Sequence, residues 1–261
     1  MEWYEALILG IIQGLTEFLP ISSSGHLELG RAILNVQTGE EISFAVTVHG
    51  ATVLSIIVVF WSELKNMIAE AMALKWNSSS KYITKLLVSM IPVGLVGIFL
   101  RDYVEHFFSG NVRFVGSMLL VTALLLTLSY FAKDRDRNIT FAGAFLIGIA
   151  QALAVIPGIS RSGATISTGL LLGNNKNETA RFSFLMVILP IIGANLVELL
   201  SGEISNDNTT GIFPLVIGFV SAFITGYIAC KWMLNIVKKG KLVYFGIYCF
   251  LIGLTAIIIS L

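Results

Sequence analysis

Long apolar runs alternate with short polar loops along most of the chain. Six runs of roughly 20 residues are each long enough to cross a bilayer about 30 Å thick. They lie near 42–62, 84–100, 113–131, 182–201, 212–236 and 242–261. The pattern predicts six transmembrane helices.

Two further apolar segments, 3–35 and 139–173, are interrupted in the middle by proline, glycine and serine. Each is expected to form a helix, an irregular break and a shorter helix. Backbone groups freed at membrane depth are tolerated only where protein or a water-filled cavity satisfies them. We therefore interpret both segments as re-entrant hairpins. The predicted fold class is an all-α polytopic membrane protein with six transmembrane helices and two re-entrant helical hairpins.

Composition supports this class. The 261 residues are 56% hydrophobic and 13% charged, whereas an average soluble domain carries about 25% charged residues. The chain is therefore expected to be an integral membrane protein. Its formal net charge of +1 indicates no nucleic-acid partner.

Lysine and arginine are concentrated in some of the loops. Loops 63–83, 132–138 and 237–241 are rich in them, whereas loops 101–112 and 202–211 carry at most one. By the positive-inside rule the first three are cytoplasmic and the last two face outward. Hairpins that crossed the bilayer fully would also be compatible with the charge pattern, so charge alone does not exclude that alternative.

A short phrase occurs twice. Residues 10–25 and 148–163 are identical at eight of sixteen positions without a gap. Three predicted spans separate the two copies, so the hairpins that contain them enter from opposite faces, the first from outside. The chain is thus expected to be one membrane domain of two inverted repeats, 1–131 and 139–261, whose broken helices meet near the midplane.

The two copies differ at the positions that carry charge. The first has Glu17 and, just beyond the phrase, His26, whereas the second has Arg161 opposite Ser23. Ionisable groups in apolar segments are costly and are candidates for function. Glu17 follows Gln13 by four residues, on one helical face. The two side chains could bind a hard cation or orient a water, or they could form a buried hydrogen-bonded pair.

The breaks themselves offer chemistry. In the first, three serines and a glycine lie between Pro20 and His26 and could cradle an anion, and a serine near a histidine is a minimal activated nucleophile. In the second, Arg161 opens a new apolar helix, where a guanidinium and free N–H groups suit a phosphate. The alternative is a structural salt bridge from Arg161 to Glu17, which a substrate could split.

Other polar residues in apolar runs have simpler explanations. His49 is expected to pack or cap more than to reach the site. Glu198 and Lys231 lie near span ends, where they can extend to the membrane surface. Cys230 and Cys249 are expected to be small buried side chains and not a disulfide.

Three stretches together resemble the motifs of a known family. They are Gln13-x-x-x-Glu17, the run from Glu17 through Phe-Leu-Pro-Ile-Ser-Ser-Ser-Gly to His26, and the run from Pro157 through Gly-Ile-Ser-Arg-Ser-Gly-Ala to Thr165. In motif and spacing, over nearly the whole chain, the sequence resembles the bacterial undecaprenyl-diphosphatase family, also called the bacitracin-resistance protein family.

The resemblance implies a multi-pass enzyme of the bacterial cytoplasmic membrane with an outward-facing site. Such an enzyme removes the terminal phosphate of undecaprenyl diphosphate and regenerates the carrier for peptidoglycan synthesis, while bacitracin competes for the same lipid. The resemblance also implies a divalent cation, Mg²⁺ or Ca²⁺. Undecaprenyl diphosphate and membrane lipid are the expected partners, and a homodimer is kept as a hypothesis.

The resemblance also assigns roles. Glu17 matches the essential glutamate of the family, Ser23 its proposed nucleophile, His26 its histidine, and Arg161 its phosphate-binding arginine. The substrate-binding candidates are Gln13, Ser22, Ser24, Gly25, Ser160, Ser162, Gly163 and Thr165. Since the family accepts glutamate or glutamine at position 13, the expected metal ligands are Glu17 and the amide of Gln13.

Alternatives stay open at two levels. Within the enzyme class, Ser23 could attack with Glu17 or His26 as base, His26 could be the nucleophile, or Glu17 could activate water. In a different class, the same inverted-repeat cavity could serve a lipid-carrier flippase or an anion transporter, since fold does not settle function.

Overall fold

A computed structural model describes residues 1–34, 36, 41–73, 75–100, 111–133, 135–201 and 211–260. These residues form helices joined by short turns and no β-sheet, so the all-α prediction is confirmed. The helices are α1 (Trp3–Phe18), α2 (Ser23–Leu34), α3 (Glu41–Val59), α4 (Trp61–Met72), α5 (Ser78–Phe99), α6 (Val112–Tyr130), α7 (Phe141–Leu153), α8 (Arg161–Leu171), α9 (Lys176–Leu185), α10 (Ile188–Ser201), α11 (Ile212–Lys238) and α12 (Val243–Ile259).

Side-chain caps fix where several helices begin. Asn77, Asn111, Thr140 and Asn175 each accept a hydrogen bond from a backbone N–H in the first turn of α5, α6, α7 and α9 respectively. An N-cap of this kind satisfies one of the N–H groups that a helix leaves without a partner.

Several helices are long and apolar enough to span a membrane. Among the described residues these are α5, α6, α11 and the stretch Lys176–Glu198, which comprises α9 and most of α10. The pair α3 and α4 makes a fifth if it is counted as one bent span, and α7 and α12 are shorter apolar helices. The protein is therefore a multi-pass membrane protein.

The helix boundaries differ from the predicted runs at several positions, and two of these differences change the architecture. The predicted run 42–62 ends at a bend of 76°, after which α4 occupies residues that we predicted to be a cytoplasmic loop. The fourth run begins six residues early, at Lys176, and is interrupted between α9 and α10. The outward loops predicted at 101–112 and 202–211 lie almost wholly outside the described residues.

Both interrupted segments fold as helical hairpins, α1 with α2 and α7 with α8. The ends of the second hairpin meet: the N–H of Arg137 donates to the carbonyl of Gly173 at 3.4 Å, and the N–H of Asn175 donates to the carbonyl of Arg137 at 2.9 Å. At the first hairpin, Met1 and Val36 pack against the same buried apolar cluster. The two ends of the second hairpin therefore lie side by side.

Each hairpin packs on a helix of the other half of the chain. α1 lies along α11, and α7 lies along α5. Close approach depends on glycine: a Cβ at Gly14 would lie 2.5 Å from the carbonyl oxygen of Ala222, and one at Gly148 would lie 2.3 Å from that of Ser89. Small residues at such contacts allow helix backbones to approach closely inside a membrane.

Candidate active site

The first break joins α1 to α2 through residues 19–22. Leu19, the C-cap of α1, is extended and followed by Pro20, which cannot continue the helix. Ser22 has φ +71°, a left-handed conformation that is costly for a residue with a side chain. Its hydroxyl lies 3.5 Å from the N–H of Gly25. A strained serine thus starts the second arm of this hairpin.

The second break, residues 154–160, is held by a neighbouring helix. Gly158 has φ +94°, and a Cβ there would lie 2.5 Å from the carbonyl oxygen of Val115, so only glycine fits. On α6, the hydroxyl of Thr122 donates to the carbonyl of Gly158 at 3.1 Å and accepts from the N–H of Ser160 at 2.9 Å. One threonine therefore fixes the backbone on both sides of Ile159.

The serines that are identical in the two copies make similar hydrogen bonds at the starts of α2 and α8. The hydroxyl of Ser160 caps α8 by accepting from the N–H of Gly163 at 3.1 Å, as Ser22 does for α2. Ser22 and Ser24 place their hydroxyls 3.4 Å apart, and Ser160 and Ser162 place theirs 3.3 Å apart. The identical residues thus form matching helix starts on the two hairpins.

Ser23 and Arg161, which differ between the copies, and the shared Gln13 converge on the carboxylate of Glu17. Ser23, the first residue of α2, donates to Glu17 Oε2 at 2.8 Å, and Gln13 Nε2 donates to the same oxygen at 3.0 Å. Arg161, the first residue of α8, pairs through Nη2 with Glu17 Oε1. The side chain of Glu17 is 3% exposed and that of Arg161 is 25% exposed. The salt bridge considered above is therefore present, with its arginine on the open side.

A cavity of about 710 Å³ opens between the two hairpins and includes this cluster in its wall. α3 and α10 complete the wall. The polar residues that line it are Thr16, Glu17, Ser22, Ser23, Ser24, Arg31, His49, Gln151, Ser160, Arg161, Ser162, Asn195 and Glu198. Free N–H groups at the starts of α2 and α8, together with the guanidinium, suit this cavity to a phosphate group.

The structure does not bring His26 into this cluster. Its Nδ1 lies 2.9 Å from the carbonyl oxygen of Ser22, and its Nε2 lies 2.8 Å from the hydroxyl of Tyr248 on α12. Because a carbonyl only accepts, Nδ1 carries the proton, and Nε2 of the neutral ring accepts from Tyr248. The two rings also stack, with centroids 5.7 Å apart.

Four predicted substrate ligands are placed in different ways. Thr165 donates to the carbonyl of Arg161 at 2.8 Å and lies 2.6 Å from the hydroxyl of Ser183. Gly25 and Gly163 contribute N–H groups to the caps. Gln13 orients Glu17 through its amide nitrogen. None of the four is among the described residues that line the cavity.

The cavity also contains residues that sequence reasoning passed over. Glu198, expected to extend to the membrane surface, lines the cavity, which corrects that expectation. His49 lines it too, with Nδ1 held 2.8 Å from the carbonyl oxygen of Ala45. Gln151 stands in the second copy of the repeat where Gln13 stands in the first, and that identity could have indicated a place in the site. Lys231 is exposed and donates to Tyr227.

The residues fit a divalent cation only in part. Gln13 Oε1 is buried without a hydrogen-bond partner, and an amide oxygen beside a carboxylate is a suitable pair of ligands for Mg²⁺ or Ca²⁺. However, the described residues contain no group of three or more His, Cys, Asp or Glu side chains placed to hold a metal ion. The cation would therefore need oxygen ligands from a bound diphosphate.

Comparison with known proteins gives consistent matches. The model of the family "Bacitracin resistance protein BacA" matches residues 6–255. A protein of Bacteroides fragilis named undecaprenyl-diphosphatase is 52% identical over 100% of this chain and 99% of its own length. A protein of Halothermothrix orenii with the same name is 40% identical over 100% and 99%. Undecaprenyl-diphosphatase 1 of Bacillus cereus is 38% identical over 97% and 96%.

Proposed function

Because the chain belongs to the bacitracin resistance protein BacA family, we infer that it is an undecaprenyl-diphosphatase. It hydrolyses undecaprenyl diphosphate to undecaprenyl phosphate and inorganic phosphate. The reaction recycles the lipid carrier of peptidoglycan synthesis and gives resistance to bacitracin, which competes for the same lipid. The observation that carries this proposal at the level of chemistry is the convergence of Ser23 and Arg161, from different hairpins, on Glu17.

The substrate has one polar end and one long apolar tail. The diphosphate enters the cavity between the hairpins, where Arg161 and the first N–H groups of α2 and α8 neutralise its charge. Positioning and charge neutralisation are the main sources of rate in phosphoryl transfer. The prenyl tail lies against the apolar outer faces of the helices, beside membrane lipid.

Ser23 is the nucleophile that the hydrogen bonding favours. Its hydroxyl already donates to Glu17 Oε2, which is the relation expected of a nucleophile and its base. Glu17 takes the proton as Ser23 Oγ attacks the terminal phosphorus. The bond from that phosphorus to the bridging oxygen breaks, and undecaprenyl phosphate leaves.

The second half of the reaction restores the enzyme. Water attacks the phosphoserine, the bond between phosphorus and Ser23 Oγ breaks, and inorganic phosphate is released. The proton held by Glu17 returns to Ser23 Oγ, and the proton lost by the attacking water leaves with the phosphate. In the direct alternative Glu17 activates a water that attacks the terminal phosphorus in a single step, no phosphoserine forms, and Ser23 only holds Glu17 in place.

Substrate binding activates the base. In the free protein Glu17 is paired with Arg161, and a carboxylate beside a guanidinium is a weak proton acceptor. When a bound phosphate draws Arg161 away, Glu17 becomes a stronger base and can accept the proton of Ser23. The ion pair thus keeps the site at rest until a diphosphate arrives.

His26 positions the tip of the first hairpin in this account. Both of its ring nitrogens are engaged, one by the strained Ser22 and one by Tyr248. Use of His26 as base or nucleophile would require both contacts to break. A divalent cation, held by Glu17 and Gln13 Oε1 together with the diphosphate, would supply further charge neutralisation.

The orientation in the membrane follows from the charge pattern. We take α3 with α4 and α12 as spans in addition to the four long ones, with two re-entrant hairpins, in the bacterial cytoplasmic membrane. The cavity wall includes Glu198, four residues before the predicted outward loop 202–211, which supports a cavity that is open to the outside.

The second candidate function, a lipid-carrier flippase or anion transporter, is favoured by one observation. A separate cavity of about 990 Å³ is lined by Glu63, Tyr82, Asn138 and Arg181, near the predicted cytoplasmic loops. A carrier would use both cavities in turn. A carrier, however, needs no hydroxyl paired with a carboxylate.

The aromatic core separates the two cavities. Phe18, next to Glu17, packs edge to face on Phe184 at 5.6 Å, and Tyr82 packs in the same manner on Phe182 at 5.8 Å. Both phenylalanines of α9 are buried. Movement of a headgroup between the cavities would require this core to open.

Phosphate release from undecaprenyl diphosphate by the purified protein in detergent tests the proposed function. The wild type is expected to release phosphate, and S23A to lose at least about 100-fold of kcat. S117A serves as a control, because the hydroxyl of Ser117 only contacts its own helix at Arg113. Absence of release by the wild type, with and without added Mg²⁺ or Ca²⁺, would refute the enzyme and leave the carrier.

A further inference from the structure

Gln151, on α7, has an unusual environment for a polar side chain. It is 2% exposed, and neither its amide nitrogen nor its amide oxygen has a hydrogen-bond partner among the described residues. A buried amide without partners lowers the stability of the fold, because its hydrogen bonds to water are lost and no others replace them. Yet the residue lies in the wall of the cavity that contains Glu17 and Arg161.

The repeat explains how this amide became unpartnered. Gln151 stands in the second copy where Gln13 stands in the first. Gln13 donates to Glu17 four residues later, but the residue four positions after Gln151 is Val155. The second hairpin thus keeps the amide and lacks the carboxylate that would engage it. On the first hairpin the amide of Gln13 orients a base, whereas on the second the amide of Gln151 lies in the cavity wall.

We propose that Gln151 is a substrate-binding residue whose amide nitrogen donates to the diphosphate of the bound lipid. The inference rests on the proposed function and assigns a second contact to the hairpin that already provides Arg161. Phosphate oxygens only accept, so they can satisfy the NH₂ group. Arg161 and the hydroxyl groups of the cavity have donors that can satisfy the amide oxygen once the salt bridge to Glu17 opens.

A neutral amide is well chosen for this place. A second arginine would also bind the phosphate products tightly and slow their release, and a carboxylate would repel the substrate. An amide adds a directed hydrogen bond without charge, which fixes the orientation of the headgroup relative to Ser23. Its contribution should appear mainly in substrate binding.

The experiment compares Gln151→Leu with wild type in phosphate release and in thermal unfolding in detergent. Leucine has similar volume and no polar atoms, so the variant should be at least as stable as wild type, because an unsatisfied polar pair has been removed from the interior. Its KM for undecaprenyl diphosphate should nevertheless rise about tenfold, the usual effect of one lost hydrogen bond to a charged group. A structural role would instead lower stability.

Two further variants make the result decisive. Ser167→Ala is the matched control. The hydroxyl of Ser167 is also buried without a partner among the described residues, but it does not line the cavity. Removal of this hydroxyl should leave KM unchanged. Gln151→Glu keeps the size of the side chain and should raise KM further by repelling the diphosphate. A wild-type KM in Gln151→Leu, or in Gln151→Glu if the leucine variant does not fold, would overturn the proposal. Phosphate release by the wild type in the same assay tests the proposed function separately.

Discussion

In the two copies of the repeat, some positions have a structural role in both copies, and others carry different functional groups. Ser22 and Ser160 are identical and cap the second helix of each hairpin. The next position holds a hydroxyl in one copy and a guanidinium in the other, and both reach Glu17. Duplication thus supplied two matching helix starts, and divergence at one position supplied two different functional groups.

Replacement of Arg161 by lysine tests the guanidinium. Lysine keeps the charge but lacks the planar pair of donors that matches a phosphate. We expect kcat/KM for undecaprenyl diphosphate to fall about 100-fold, the effect of losing one directed donor at a reacting group. R181K is the matched control, because Arg181 binds Glu63 in a comparable way outside this cavity. Equal losses in both variants would contradict the assignment.

Replacement of Tyr248 by phenylalanine tests His26. The change removes the donor to His26 Nε2 and leaves the stacked ring in place. If His26 only positions the hairpin tip, kcat should fall by less than about tenfold, in the range of one neutral hydrogen bond. A loss as large as that of S23A would instead place His26 in the reaction.

Sequence reasoning found the local partners and one distant pair, Arg161 with Glu17, but missed the distant partner of His26. Gln13 and Glu17 lie four residues apart on one helix, which predicts their contact, and Ser23 follows Glu17 by only six residues across the break. The partner of His26 is 222 residues away, so nothing local indicated that the ring faces α12. Arg161 was matched to Glu17 through the repeat, which carried long-range information that hydropathy does not contain.

At the scale of elements, glycines decide how the hairpins seat. A Cβ at Gly10 would lie 2.0 Å from the hydroxyl of Ser221, and one at Gly14 would lie 2.1 Å from that of Thr225. These positions hold α1 on α11 and so fix the position of Glu17, three residues after Gly14. The second hairpin repeats the arrangement at Gly148 on α5.

Gly14→Ala tests this seating. The added methyl group meets backbone at Ala222 and Gly226 as well as a side chain, so the helices must separate. We expect a loss of about 1–3 kcal/mol in the free energy of unfolding, typical of overpacking, seen as a lower melting temperature in detergent. Gly94→Ala is the control, since nothing lies within 4 Å of its Cβ. A Gly14→Ala protein as stable as the control would contradict the packing.

Helix boundaries were predictable where apolar runs had polar ends. Asn111 and Thr140 cap the start of α6 and α7 close to the predicted positions. α4 was missed because its charged residues resemble those of a cytoplasmic loop, although a helix with one apolar face can lie along a membrane surface. The 76° bend before it depends on packing, and no proline at this point in the sequence indicates it.

At the scale of the whole molecule, the charge pattern and the cavities agree. The cavity with the Glu17 cluster and the cavity with Glu63 share no lining residue. The first includes Glu198, close in sequence to the loop 202–211, which has no lysine or arginine, and the second includes Glu63 and Asn138, from the predicted loops rich in them. The division into inverted repeats 1–131 and 139–261 stays a prediction, which the crossed packing of the hairpins supports.

Labelling of single cysteines tests the orientation. Cysteines at Asn138 and Asn177, which are exposed, should react with an impermeant maleimide only after the cells are opened, and one at Gly211 should react in intact cells. Two neighbouring positions are not used for labelling: Asn174 because it is buried, and Asn35 because it lies outside the described residues. The native Cys230 and Cys249 are buried and free and should give little background. Opposite sides for positions 138 and 177 would contradict a re-entrant second hairpin.

The central claim is that both hairpins hold one diphosphate between Ser23 and Arg161. An experimental structure with a prenyl methylenediphosphonate, which cannot be hydrolysed, tests it directly. The account predicts the terminal phosphonate on Arg161, its phosphorus about 3–3.5 Å from Ser23 Oγ, and an open Glu17–Arg161 pair. A headgroup bound in the cavity around Glu63, or bound near Ser23 with the Glu17–Arg161 pair intact, would contradict it.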